Sequence, residues 1–122
     1  MANEISLSAR FKFVDSNNKA YVDETFALTN FDQSAQGGPT PGYVTIGTSE
    51  ETEAFSELST EGWLYMRNLD ATNYVQWGFA TGVYGGRIKA GEFAIFRMEP
   101  TLTMYLKADT AAVKMLIYGM ES

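Results

Sequence analysis

The apolar residues of this chain recur at a period of two, and in no segment do they form the 3.6-residue stripe of a stable helix. Residues 4–14 show this most clearly: Ile5, Leu7, Ala9, Phe11 and Phe13 fall on one side, and Ser6, Ser8, Arg10 and Lys12 on the other. That alternation is the signature of a half-buried strand. Further extended runs lie at 21–28, 43–48, 63–69, 74–78, 93–98, 103–107 and 111–120. They are separated by turn residues at intervals of roughly ten positions, which points to an all-β fold, an antiparallel β-sandwich of jelly-roll type.

The connections carry their own information. Asp15-Ser16-Asn17-Asn18 is a turn cluster and closes a first hairpin. Residues 29–42 contain Gly37-Gly38 and Pro39-Thr40-Pro41, which deny both helix and sheet ladders, so the expectation is one long loop. Phe31 is its conspicuous apolar residue. Residues 49–60 carry Glu50, Glu51, Glu53 and Glu57, and read as a short strand or a single helical turn with a solvated acidic edge. They lack the alternating ligands and the bend glycine of a calcium loop. Residues 62–78 read as two strands joined by Asp70-Ala71-Thr72-Asn73, which predicts a second hairpin. Gly85-Gly86 has no Walker-type surroundings and reads as a turn.

A chain of 122 residues with 45% hydrophobic and 20% charged residues is expected to form one domain spanning 1–122. It holds no uninterrupted apolar run of membrane-spanning length, and Met1-Ala2-Asn3-Glu4 does not begin a secretory signal, so no membrane partner and synthesis in the cytoplasm are expected. Cysteine and histidine are both absent. Disulfides, thiolate metal sites and every Ser/His or Cys/His nucleophilic arrangement are thereby excluded. The carboxylates are scattered over turns and strand ends, with no spacing that picks out an acid and base pair. The reading is of a non-enzyme needing no cofactor and no metal. The net charge of −6 is concentrated before Gly62, where three basic residues face ten acidic ones. That distribution disfavours nucleic acid as a partner.

Strand parity gives the one physical clue to function. In 63–68, Trp63, Tyr65 and Arg67 oppose Leu64 and Met66; in 93–98, Phe93, Ile95 and Arg97 oppose Ala94, Phe96 and Met98. Both faces are substantially apolar, whereas a two-layer sandwich has a single inner face per sheet. A second subunit is expected to cover the other face, with Tyr65, Arg67, Arg97 and Tyr118 as contact residues, since aromatics and arginine are enriched at interface cores. Trp77, Tyr74 and Tyr84, rings beside Asn and Asp, leave open a carbohydrate-binding module as the alternative.

Three segments carry a family resemblance: Trp63-Leu64-Tyr65-Met66-Arg67-Asn68-Leu69-Asp70-Ala71-Thr72-Asn73-Tyr74-Val75, then Lys89-Ala90-Gly91-Glu92, then Leu106-Lys107-Ala108-Asp109-Thr110-Ala111-Ala112-Val113. They resemble recurring segments of small structural proteins of tailed bacteriophages, over about the last half of the chain. The resemblance implies a β-sandwich virion component without enzymatic activity: a capsid decoration or cement protein, commonly a trimer, that binds the major capsid protein and joins coat subunits. A head-fibre or tail-associated receptor-binding protein would use a similar sandwich. The loop residues Phe31, Pro39 and Pro41 fit a capsid-contact role within that implication.

Overall fold

The computed structural model describes residues 5–31 and 38–121. Ten strands are formed among these residues: β1 (Ile5–Val14), β2 (Ala20–Phe31), β3 (Thr40–Ile46), β4 (Glu51–Glu53), β5 (Glu61–Asn68), β6 (Val75–Gly78), β7 (Gly86–Ile88), β8 (Phe93–Arg97), β9 (Met104–Ala108) and β10 (Val113–Glu121). No helix occurs among the described residues. The chain divides into two compact units, Met1–Ser34 and Ala35–Ser122, so the sandwich expected over 1–122 is built from the second unit.

The first unit is the antiparallel hairpin β1–β2. Asp15 organises its turn by accepting from the backbone amides of Asn17 and Lys19, and Asn18 takes the left-handed conformation that asparagine tolerates, with φ of 60°. The register sets Ala9 against Phe26, Phe11 against Glu24 and Phe13 against Val22. These pairs share one face of the ribbon. Arg10 and Asp23 lie on the other and form a bidentate ion pair, with both contacts at 2.9 Å.

The second unit is a sandwich of two four-stranded antiparallel sheets, ordered β3-β10-β5-β8 and β4-β9-β6-β7. Strand β3 pairs with β10, β4 with β9, β5 with β8, and β6 with β7, which is one long ribbon of four strand pairs rolled upon itself. Ladders β5–β10 and β6–β9 complete the sheets. This is the strand order of a jelly roll.

Alternation within the strands supplies the core. Leu64 and Met66 of β5, Val75 of β6, Met104 and Leu106 of β9, and Val113, Met115 and Ile117 of β10 are buried between the sheets. Each contributes about 1.5–3 kcal/mol by leaving water. Phe55, from the β4–β5 connection, is also buried and packs beneath Gly119, where a Cβ would lie 2.9 Å from its ring. At the Gly119 end of the sandwich two buried carboxylates act as backbone acceptors: Glu121 receives the amide and hydroxyl of Ser59 at 2.6 and 3.0 Å, and Glu61 the amide of Thr101 at 3.0 Å.

Three expectations are corrected here. Residues 62–78 are not a hairpin, because β5 pairs with β10 and β8, and β6 with β9 and β7; residues 69–74 carry the chain across from one sheet to the other. A polar connection of this kind fits either geometry locally, and only the long-range ladders decide between them. The long loop of 29–42 is shortened at both ends, since β2 runs to Phe31 and β3 starts at Thr40. Pro41 therefore sits in a strand, opposite Tyr118, which is admissible because β3 is a sheet edge. Residues 32–37 and the Phe31 side chain lie outside what is described. Lastly, the glutamates of 49–60 are not a merely solvated edge. Glu50 accepts from the Thr81 hydroxyl, the Gly82 amide and the Tyr84 hydroxyl, Glu51 from the Gly47 amide, and Glu57 from the Thr40 hydroxyl.

Candidate functional site

The two sheets of the sandwich present opposite chemistry to the outside. On β4-β9-β6-β7 the outward positions are Thr52, Tyr105, Lys107, Gln76 and Arg87, a mostly polar set typical of a solvated sheet face. On β3-β10-β5-β8 the register brings together Tyr43, Leu116, Arg67 and Phe93 in one row. Tyr118, Tyr65 and Ile95 form the next row, and Trp63 stands beside Arg97 in the one after. The outward surface of this sheet is aromatic and aliphatic across all four strands.

Its detailed geometry is ordered. Tyr65 and Tyr118 stack with ring centroids 6.0 Å apart and planes inclined by 26°. The Arg97 guanidinium lies over Trp63 at 5.2 Å, and the Lys114 ammonium over Tyr43 at the same separation. Such pairings hold cations against π faces and leave the rings as a continuous surface. Tyr43 is 66% exposed and Phe93 63%, high values for large apolar side chains at the two margins of a sheet. Along 41–45, 63–67, 93–97 and 114–120 the cations are Arg67, Arg97 and Lys114, and there is no acidic residue, in a chain whose net charge is −6. The structure thus places Tyr65, Arg67, Arg97 and Tyr118, the four residues expected at a subunit contact from strand parity and residue type, on one face. Sequence reasoning did not join Tyr43, Phe93 and Leu116 to them, because that requires the β3–β10 and β5–β8 registers.

The rings considered for sugar binding do not share a platform. Trp77 turns inward and stacks on Phe96, with centroids 5.0 Å apart and planes 12° from parallel. Tyr74 is capped by Arg87 at 3.9 Å, and the Tyr84 hydroxyl donates to Glu50 at 2.7 Å. Of the capsid-contact residues, Pro39 is exposed and Pro41 lies in the β3 edge.

Where the edges β3 and β4 part, a cavity of about 260 Å³ opens over Val44, Ile46 and Leu106, with Glu51 and Glu53 at its rim. Among the described residues no group of three acidic side chains is placed to hold a metal ion.

The three segments that carry the resemblance converge at one end of the sandwich, around Asn68. This fully buried side chain donates to the carbonyls of Asn73 and Ile88 at 2.8 and 3.0 Å, and accepts from the amide of Asp70 at 2.8 Å. The Asn68 backbone bonds to Glu92 and Gly91, while Asp109 donates to Tyr74 and the Thr110 hydroxyl to Asn73. Asp70 accepts from the amides of Asn73 and Thr72, and these hydrogen bonds hold its carboxyl below the ordinary value. The motif residues are thus the knot that closes one end of the roll. Comparison with protein-family models, with curated proteins and with solved structures finds no match for this chain.

Proposed function

We propose that the chain is a non-enzymatic structural protein of a bacteriophage virion, a decoration or cement protein whose sandwich units self-associate, as a trimer, and bind the major capsid protein. One observation carries the assembly part: the outward face of β3-β10-β5-β8 is aromatic over four strands, with no acidic residue in 41–45, 63–67, 93–97 and 114–120, while the outward face of the other sheet is mostly polar. Contiguous apolar surface beyond a few hundred Å² is rare on a monomer and marks a contact face. The Tyr, Trp and Arg content matches the residue types that dominate interface energetics. The virion part is supported by the resemblance of residues 63–75, 89–92 and 106–113.

The test has two stages. Light scattering at micromolar concentration should report an oligomer, and a strict monomer would overturn self-association. Purified phage capsids stripped of accessory proteins should then co-sediment with the oligomer, and capsids that leave it in the supernatant would overturn the decoration role.

A further inference from the structure

A bulge in the β5–β10 ladder turns one carboxylate onto another. Gly119 stands opposite Leu64 but Glu121 opposite Glu61, so two steps along β10 match three along β5. By strand parity Glu61 belongs with Trp63 and Tyr65 on the outward side of β5. The bulge re-aims it inward, where it is 7% exposed; Glu121, in phase with the buried Val113, Met115 and Ile117, is 3% exposed. Side chains directly opposite each other in such a ladder have Cβ atoms about 5 Å apart, and like charges in that relation repel.

The hydrogen bonds of this pair leave one oxygen over. Glu121 Oε1 takes the amide and hydroxyl of Ser59 at 2.6 and 3.0 Å, and Glu61 Oε2 takes the amide of Thr101 at 3.0 Å. Glu121 Oε2 is buried and has no hydrogen-bond partner among the described residues. No lysine or arginine among them forms an ion pair with either carboxylate. A buried carboxylate oxygen with neither donor nor counter-charge is costly. A water molecule there would donate to the oxygen and still leave two like charges facing each other, whereas a cation answers both. We infer that Glu61 and Glu121 are two ligands of a divalent cation, calcium, bound at the Gly119 end of the sandwich. The donors are oxygens, in a chain with no cysteine or histidine, which selects a hard cation over zinc or copper. The double charge balances the two carboxylates. Calcium also accepts irregular coordination completed by waters and backbone carbonyls, while magnesium demands a near-ideal octahedron. The pair is invisible to sequence spacing, because the two glutamates are far apart in the chain and Glu61 meets Glu121 only through the bulge.

Calcium titration of the full chain tests the site. Protein stripped with EDTA should bind a single ion per chain, with a dissociation constant of roughly 0.1–1 mM, the range of calcium sites with few charged ligands. Its urea midpoint should rise with calcium concentration, because the ion binds the folded chain alone. Terbium in place of calcium should emit under tryptophan excitation in Trp77→Phe, which keeps Trp63 close to Glu61 in the chain, and several-fold more weakly in Trp63→Phe. Glu61→Gln and Glu121→Gln keep the acceptor oxygens toward Thr101 and Ser59, and each should abolish the calcium response. Asp109→Asn, at the Asn68 end, should leave it intact. A wild-type midpoint indifferent to millimolar calcium overturns the site. A calcium response that either glutamine variant retains, or that sodium at matched ionic strength reproduces, overturns it too, since these mark binding elsewhere or general screening on an acidic chain. Both glutamates lie within the sandwich unit, so the outcome stands apart from self-association.

Discussion

Tyr65 of β5 and Tyr118 of β10 stand directly opposite each other in the ladder, and their rings stack with centroids 6.0 Å apart on the outside of the sandwich. Two tyrosines stacked outward at the middle of a sheet make a rigid apolar surface whose ordering entropy is already spent, which suits a contact face. Replacing both by serine removes that surface and leaves the inward residues Met66 and Ile117 in place. The expected result is loss of the oligomer in light scattering, with the far-ultraviolet dichroism of the sheet unchanged. Unfolding of the double variant would show that the pair is structural.

Asn68 should be among the most sensitive positions for stability. Its replacement by alanine leaves the carbonyls of Ile88 and Asn73 and the amide of Asp70 without the partners they have now. Buried unsatisfied groups of this kind cost about 1–3 kcal/mol each, so a loss of about 2–4 kcal/mol is expected. Urea unfolding followed by tryptophan fluorescence reads this directly, because Trp63 and Trp77 both lie in the sandwich unit. Asn17→Ala, in the exposed hairpin turn, should leave the midpoint where it is.

Gly86 faces Trp77 across the β6–β7 ladder, and a Cβ there would fall onto the indole ring. Gly86→Ala must push Trp77 out of its stack on Phe96. A destabilisation of about 1–3 kcal/mol is expected, as for overpacked cores generally. In a Trp63→Phe background, the near-ultraviolet dichroism of Trp77 should change with it. An unchanged spectrum and midpoint would show that the ring has room to move.

Glu50 ties the 81–84 loop to the chain between β3 and β4 through three donors, the Gly82 amide, the Thr81 hydroxyl and the Tyr84 hydroxyl. The Gly82 amide first, then the two hydroxyls, hold the carboxyl below its ordinary value of 4.5, while the same carboxylate pushes the Tyr84 hydroxyl up. The folded state favours the ionised form. Its contribution is therefore complete above pH 4.5 and is lost as the pH falls through the lower folded value. Amide exchange at Gly82 should accelerate across that acid window relative to the chemical rate. Glu50→Gln should show fast exchange at every pH, with the acid step gone.

The period-two patterns, the turn clusters and the lack of any helical stripe were enough to specify an all-β fold of antiparallel strands. Each is a local property, set by how neighbouring side chains alternate and how Asp, Asn, Gly and Pro bend the backbone. Parity alone even put Tyr65, Arg67 and Arg97 outward, because residues two apart on a strand must share a face. What local chemistry left open was which strands pair. Residues 69–74 join two sheets where a hairpin fits the same polar cluster, and Pro41 belongs to a strand because β3 happens to be an edge. Trp77, conspicuous in the sequence, is turned inward by the β6 register, whereas Tyr43 and Phe93 become functional candidates only when β10 and β5 set them in one row. Long-range ladders decide such matters, since backbone hydrogen bonds between distant segments fix the register, and the register fixes which side chains meet.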